Sequence, residues 1–155
     1  MKRLILLRHA KAVKGVPDYE RPLADVGTAD AHEAAAALKN RLPPSFEILC
    51  SPATRTRQTA EIVFPHRRIV FDERLYLASA ATIVGVVGDA FGQNDGLVVV
   101  GHNDGLTLAA LRLSERPFTD HIPTSGFCVL DFETVSDGAG RLVAFHLPQR
   151  IWGRF

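Results

Sequence analysis

Cysteine is scarce in this chain: Cys50 and Cys128 are the two present, each inside an apolar stretch. Two such cysteines exclude a disulfide-stapled scaffold, and their separation excludes a zinc ribbon or a Cys-x-x-Cys redox motif, so buried reduced thiols are expected. Long hydrophobic runs are absent too, and nothing approaches the ~18 apolar residues that a membrane span needs. The opening Met1-Lys2-Arg3 followed by apolar residues 4–7 has the start of a secretory leader, but Arg8-His9 interrupts the run too early. Charge of one sign is not in excess: 18 Lys and Arg face 17 Asp and Glu, a net +1. There is then no global pull toward nucleic acid or an anionic membrane, and any affinity for anions must be local. Glycine-rich nucleotide loops of the G-x-x-x-x-G-K-[ST] or G-x-G-x-x-G type do not occur. Repeats, low-complexity tracts and a linker able to divide the chain are missing as well. One domain over 1–155 is expected, in the cytoplasm, long enough to bury roughly two-thirds of its unfolded surface.

What is present is an alternation of two patterns. Strand-like apolar runs fall at 4–7, 46–50, 69–71, 97–100, 127–132 and 142–146. Between them come helical spacings. Ala31, Ala34, Ala35 and Leu38 recur at i, i+3, i+4 and i+7 within 25–41, until Pro43-Pro44 stops the helix. Ser51-Pro52 reads as an N-cap with proline at the first helical position, opening a helix to about Val63. Ile83, Val84, Val87 and Phe91 mark a third helix ended by Gly92, and Asp104 reads as the cap of a fourth with Leu106, Ala109, Ala110 and Leu113 inward. Near-continuous apolar strands separated by helices predict a three-layer α/β/α sandwich with a mostly parallel central sheet. The turn-rich 136–140 link predicts an antiparallel hairpin at the end.

Chemistry-bearing residues sit where such a sheet presents its carboxyl ends. The first strand runs into Arg8-His9, another ends in Val100-Gly101-His102, and Ser51-Pro52-Ala53-Thr54-Arg55 places an arginine at a helix start. A neutral imidazole in line with a phosphoryl group is a nucleophile, and neighbouring cations both depress its pKa and hold the phosphoryl oxygens. Arg8 and Arg55 suit that role as charged planar forks, and His102 suits a further donor to the equatorial oxygens. Cys50 and Arg55 superficially resemble the Cys-x5-Arg loop of cysteine phosphatases, but the interval holds four residues and lacks the glycines that let backbone amides wrap phosphate. His32, His66 and His146 read as surface, loop and strand residues. His121 precedes the Ile122-Pro123-Thr124-Ser125-Gly126 loop, which is a candidate for the pocket wall.

Arg8-His9, the Ser51-to-Thr59 segment of the form Ser-Pro-x-x-Arg-x-x-Gln-Thr, and His102 after glycine together resemble the histidine phosphatase, or phosphoglycerate-mutase-like, superfamily over about the whole chain. The resemblance implies a phosphoglycerate-mutase-like α/β fold and a hydrolase without cofactor or metal, in which the first histidine is the nucleophile. Arg21-Pro22-Leu23 with Gly27, and Leu75-Tyr76-Leu77-Ala78 before the third helix, are similar to the small SixA-type phosphohistidine phosphatases of signal transduction. The usual superfamily opening is Arg-His-Gly-Glu, whereas Ala10-Lys11 follows His9 here. The implied catalytic set is His9, Arg8, Arg55 and His102. Arg21 is a candidate for the pocket mouth, with an ion pair to Asp18 as the structural alternative, and Glu73 is a candidate proton donor. Protein phosphohistidine is the expected substrate, with a sugar or nucleotide phosphate as the alternative and a non-catalytic phosphate-recognition module as the reading from another class. No nucleic-acid or membrane partner is expected.

Overall fold

Six strands form one mixed sheet covered on both faces by helices. The computed structural model describes residues 1–92, 94–117 and 121–152. In chain order the elements are β1 (Lys2–Arg8), α1 (Asp25–Leu38), β2 (Phe46–Cys50), α2 (Thr54–Val63), β3 (Val70–Phe71), α3 (Ala80–Ala90), β4 (Gly96–Gly101), α4 (Gly105–Leu113), β5 (Phe127–Phe132) and β6 (Arg141–His146), with 3-10 turns at Asp18–Glu20, Glu73–Leu75 and Gln149–Ile151. Strand order is β3-β2-β4-β1-β5-β6. The first four of these strands run parallel, and β5 and β6 are antiparallel additions at one side, joined through 136–140 as the turn residues predict.

Alternation along the buried strands sorts side chains into two cores. Leu4 and Leu6 of β1 join Leu97 and Val99 of β4 under α3 and α4. Ile5 and Leu7 face the other way with Val98 and Val100, under Ala34 and Leu38 of α1 and Ala60 and Val63 of α2. The four strand residues Leu4 to Leu7 are essentially solvent-free, which is why they read as an unbroken apolar run. Cys50 and Cys128 are buried free thiols, and burial pushes the Cys128 pKa up to about 12.

Two helix starts differ from the sequence reading. The α2 helix begins at Thr54, with Ala53 at the cap position and no side-chain cap bond, so Ser51 is not its cap. Asp104 stands at the start of α4 without capping it; Asn103 Oδ1 instead accepts from the Thr107 amide at 3.1 Å. In α3 the Ser79 hydroxyl accepts from the Thr82 amide, an N-cap bond of the ordinary kind. Among the described residues, no helix is long and apolar enough to cross a membrane.

Candidate active site

Three neighbouring strands deliver three polar residues side by side. The His9 amide bonds to the Gly101 carbonyl at 3.1 Å, and the Ser51 amide bonds to the Val100 carbonyl at 3.0 Å. β4 therefore carries His102 out between His9, which follows β1, and Ser51, which follows β2. The two imidazole rings lie 5.3 Å apart, tilted by 53°. Both are almost wholly enclosed by protein.

Hydrogen bonds set the tautomers. His9 Nδ1 lies 2.7 Å from the Ala10 carbonyl, and a carbonyl only accepts, so Nδ1 carries the proton and Nε2 keeps a free lone pair. Arg55 Nη2 lies 3.2 Å from His102 Nδ1; a guanidinium only donates, so that nitrogen accepts and the proton sits on Nε2. His102 Nε2 then donates to Ser51 Oγ at 2.8 Å. Ser51, whose hydroxyl the sequence offered to a helix, is committed to the second histidine instead.

Both histidines are held neutral. Burial is the main cause, with Arg55 and Arg8 adding repulsion, and the His9 pKa falls from 6.5 to about 4 even though the Ala10 carbonyl favours its protonated form. Burial, then the neighbouring His9 and Arg55, lower His102 to about 3. Burial likewise lowers the Arg8 pKa, as its guanidinium donates to the Ile122 carbonyl at 3.2 Å and its Nε finds no partner among the described residues.

Arg55 emerges from the first turn of α2 and is 3% exposed. Its Nη1 donates to the Asp18 carbonyl at 2.7 Å and its Nη2 to Asp18 Oδ2 at 3.1 Å. Asp18 also accepts from Arg21 Nη1 at 3.2 Å and, at the closest range, from the Tyr76 hydroxyl. Tyr76 above all, then Arg55 and Arg21, lower the Asp18 carboxyl to about 2. Tyr76 stands edge-on to His102, with centroids 5.5 Å apart, so the Asp18 turn and the Tyr76 loop meet over the second histidine.

The remaining motif residues brace the backbone. Thr59 Oγ1 accepts from the Ala10 amide at 2.9 Å and donates to the Arg55 carbonyl, tying the residue after His9 to α2. Gln58 Oε1 accepts from the Leu23 amide at 2.8 Å. Their places in the segment from Ser51 to Thr59 have a mechanical reason.

Arg8, His9, Arg21, Arg55 and His102 line one surface pocket of about 280 Å³, together with Lys11, Ala12, Lys14, Leu77, Asn103 and Thr124. Arg21 thus both faces the pocket and pairs with Asp18. Glu73 does not reach it: the 3-10 turn at Glu73–Leu75 sends Leu75 into the core and leaves Glu73 exposed and outside the lining. His121 is exposed and outside the lining, although Thr124 of the following loop contributes. His146 stacks on Phe127 with centroids 4.9 Å apart. A roomier apolar groove of about 670 Å³ between α1 and α2 contains none of these groups. Among the described residues, no cluster of three or more His, Cys, Asp or Glu is placed to hold a metal ion.

Residues 4–76 match the family model described as histidine phosphatase superfamily (branch 1). An uncharacterised protein of Mycobacterium tuberculosis is 34% identical over 158 residues, covering 92% of this chain and 100% of that one. Two solved structures provisionally named as the phosphohistidine phosphatase SixA are similar throughout. The one from Agrobacterium tumefaciens is 30% identical with a TM-score of 0.80, covering 95% of this chain and 99% of its own. The one from Nakamurella multipartitia is 25% identical with a TM-score of 0.84 and covers 96% of each chain.

Proposed function

The chain belongs to the histidine phosphatase superfamily and is a phosphatase, and from that premise we propose that it removes phosphoryl groups from phosphohistidine on a protein, through a phosphohistidine of its own on His9. The observation that carries the substrate is the character of the pocket lining: among the described residues it holds two neutral imidazoles and five cationic side chains, and no carboxylate. Asp18, the nearest acid on its arginines, is locked in the ionised form and has no proton to give. An alkoxide leaving group needs such a proton as it departs. An imidazole does not, because it leaves as a neutral amine once its other nitrogen is protonated, which happens near pH 6.5.

The steps follow from the atoms. His9 Nε2 attacks phosphorus, a bond forms between them, and the P–N bond to the substrate imidazole breaks with its electron pair going to that nitrogen. Arg8 and Arg55 hold the phosphoryl oxygens, Arg55 turning some of its donors from Asp18 to the substrate. His102 contributes through Nδ1. Ser51 both donates and accepts, so its hydroxyl supports either tautomer of that ring. Water then attacks phosphorus, breaks the bond to His9 Nε2 and releases phosphate. The fixed Nδ1–H bond to Ala10 keeps the His9 ring aimed through both steps. The chain acts as one domain in this reading, with no cofactor or metal.

The test is turnover of a phosphohistidine peptide beside a panel of alkyl and aryl phosphates, with His9→Ala as the control. The peptide is expected to be the best substrate, and His9→Ala to fold normally without turnover or acid-labile phosphate on the protein. Efficient cleavage of one small ester with negligible action on the peptide would move the function to that ester. Phosphate binding without release from any substrate would make the chain a recognition module.

A further inference from the structure

The pocket carries more positive charge than one phosphoryl group uses. Arg8, Lys11, Lys14, Arg21 and Arg55 line it, in a chain whose net charge is +1. Of the two histidines neither adds charge near neutral pH. Arg21 and Arg55 pair with Asp18, and the Asp104 carboxylate acts on Arg8, so each of the three arginines has an acidic neighbour within the protein. Lys11 and Lys14 stand apart from these acids. Among the described residues, neither ammonium has an ion-pair or hydrogen-bond partner.

The backbone from Ala10 to Val13 that leads through Lys11 to Lys14 is, by contrast, tied down. The Ala10 amide is held by Thr59, the Lys11 carbonyl accepts from the Ala24 amide at 2.9 Å, and the Val13 amide donates to the Pro22 carbonyl at 2.9 Å. Ala12 and Leu23 pair as an antiparallel bridge, and Arg21 Nε donates to the Val13 carbonyl at 2.7 Å. A Cβ at Gly27 would come 2.0 Å from the Lys11 carbonyl oxygen, so only glycine lets α1 approach this closely. The two lysines thus bring ammonium groups without a partner among the described residues to the pocket lining, on a segment held by backbone hydrogen bonds.

We infer that Lys11 and Lys14 form a second anion subsite, which takes an acidic side chain flanking the phosphohistidine of the protein substrate. This rests on the phosphohistidine reading above. Lysine is the suitable residue because it is a flexible point charge that accommodates a carboxylate at variable positions, whereas a second phosphate in fixed geometry favours the arginine fork.

The experiment compares kcat/KM for two phosphohistidine peptides, one flanked by Asp and Glu and one by Ser and Gln. A carboxyl-bearing aryl phosphate and its neutral counterpart are measured in parallel. The wild-type chain is expected to prefer the acidic peptide by about tenfold at low salt, shrinking as salt screens exposed pairs. The Lys11→Ala/Lys14→Ala double variant is expected to bring that ratio close to one, while Lys39→Ala, just past the end of α1 and outside the pocket lining, leaves the ratio as it is. Equal kcat/KM within both substrate pairs overturns the subsite, as does a preference that survives in the double variant. If neither peptide turns over but the carboxylated aryl phosphate is preferred through the lysines, the protein-substrate reading fails and the subsite's occupant is a small dianion instead.

Discussion

Arg55→Ala isolates the group on which the pocket's geometry converges. In the wild-type chain its guanidinium makes three bonds, two to Asp18 and one to His102 Nδ1, from a side chain that is 3% exposed. Truncation removes the fork that grips the transferring phosphoryl group, a preorganised charge-assisted contact worth about 3–4 kcal/mol of barrier, or ~10²–10³ in kcat. It also leaves His102 Nδ1 buried without a donor, at about 1–3 kcal/mol of stability. Asp18 is half-exposed and recovers its solvation from water. The combined expectation is a kcat lower by two to three orders of magnitude in a protein that still folds, with a modestly lower Tm. Arg55→Lys restores the charge without the fork and should recover about tenfold of the loss. Arg21→Ala removes a group at the pocket edge that is partly spent on Val13 and Asp18, and should cost less than Arg55→Ala. The assay is steady-state kinetics on a phosphohistidine peptide, with urea denaturation of each variant. A kcat for Arg55→Ala within tenfold of wild type, or a greater loss for Arg21→Ala, would refute this account of which guanidinium faces the phosphate.

Glu73→Gln is expected to change kcat/KM less than threefold on a phosphohistidine peptide and on an alkyl phosphate alike, because Glu73 lies outside the pocket; a large selective loss on the alkyl phosphate would restore it as an acid. Ser51→Ala leaves the buried His102 Nε2–H without its acceptor, so about 1–3 kcal/mol of stability and some tenfold in kcat are expected to go, measured by urea midpoint and turnover. Stability should also fall on acidification: His9 and His102 bind protons less readily folded, at about 4 and 3, than unfolded, near 6.5. The unfolded chain therefore holds more protons between those values, and the unfolding free energy declines as pH falls from about 7 toward 4. A flat profile in that window, followed by urea titration at each pH, would contradict the neutral pair.

Much of this was legible in the sequence for identifiable physical reasons. Strands buried on both faces leave continuous apolar runs, so β1, β4 and β5 stand out, and residues that close such runs in parallel strands lie at the carboxyl end of the sheet, as His9 and His102 do. The order of strands was not legible, since it depends on which crossovers pack best rather than on any strand's own pattern. Ser51 illustrates the limit within the site. Followed by proline it has every local mark of a helix cap, yet its hydroxyl answers a buried imidazole 51 residues away. Asp18 was visible as a partner for Arg21, but its bonds to Arg55 and Tyr76 span 37 and 58 residues and exist only once the fold closes. Glu73 failed in the opposite direction: its position along the chain was suggestive, and the turn that buries Leu75 faces it outward.

The neutrality of the paired imidazoles has a consequence for the product. Because both imidazoles are held neutral, they add no change of charge to the pocket across the neutral range. How firmly released phosphate lingers is then governed by the second ionisation of the phosphate itself. The site behaves as a fixed-charge trap whose grip is set by the state of its occupant, so product inhibition should strengthen on mild alkalinisation and ease on mild acidification, without any rearrangement of the protein.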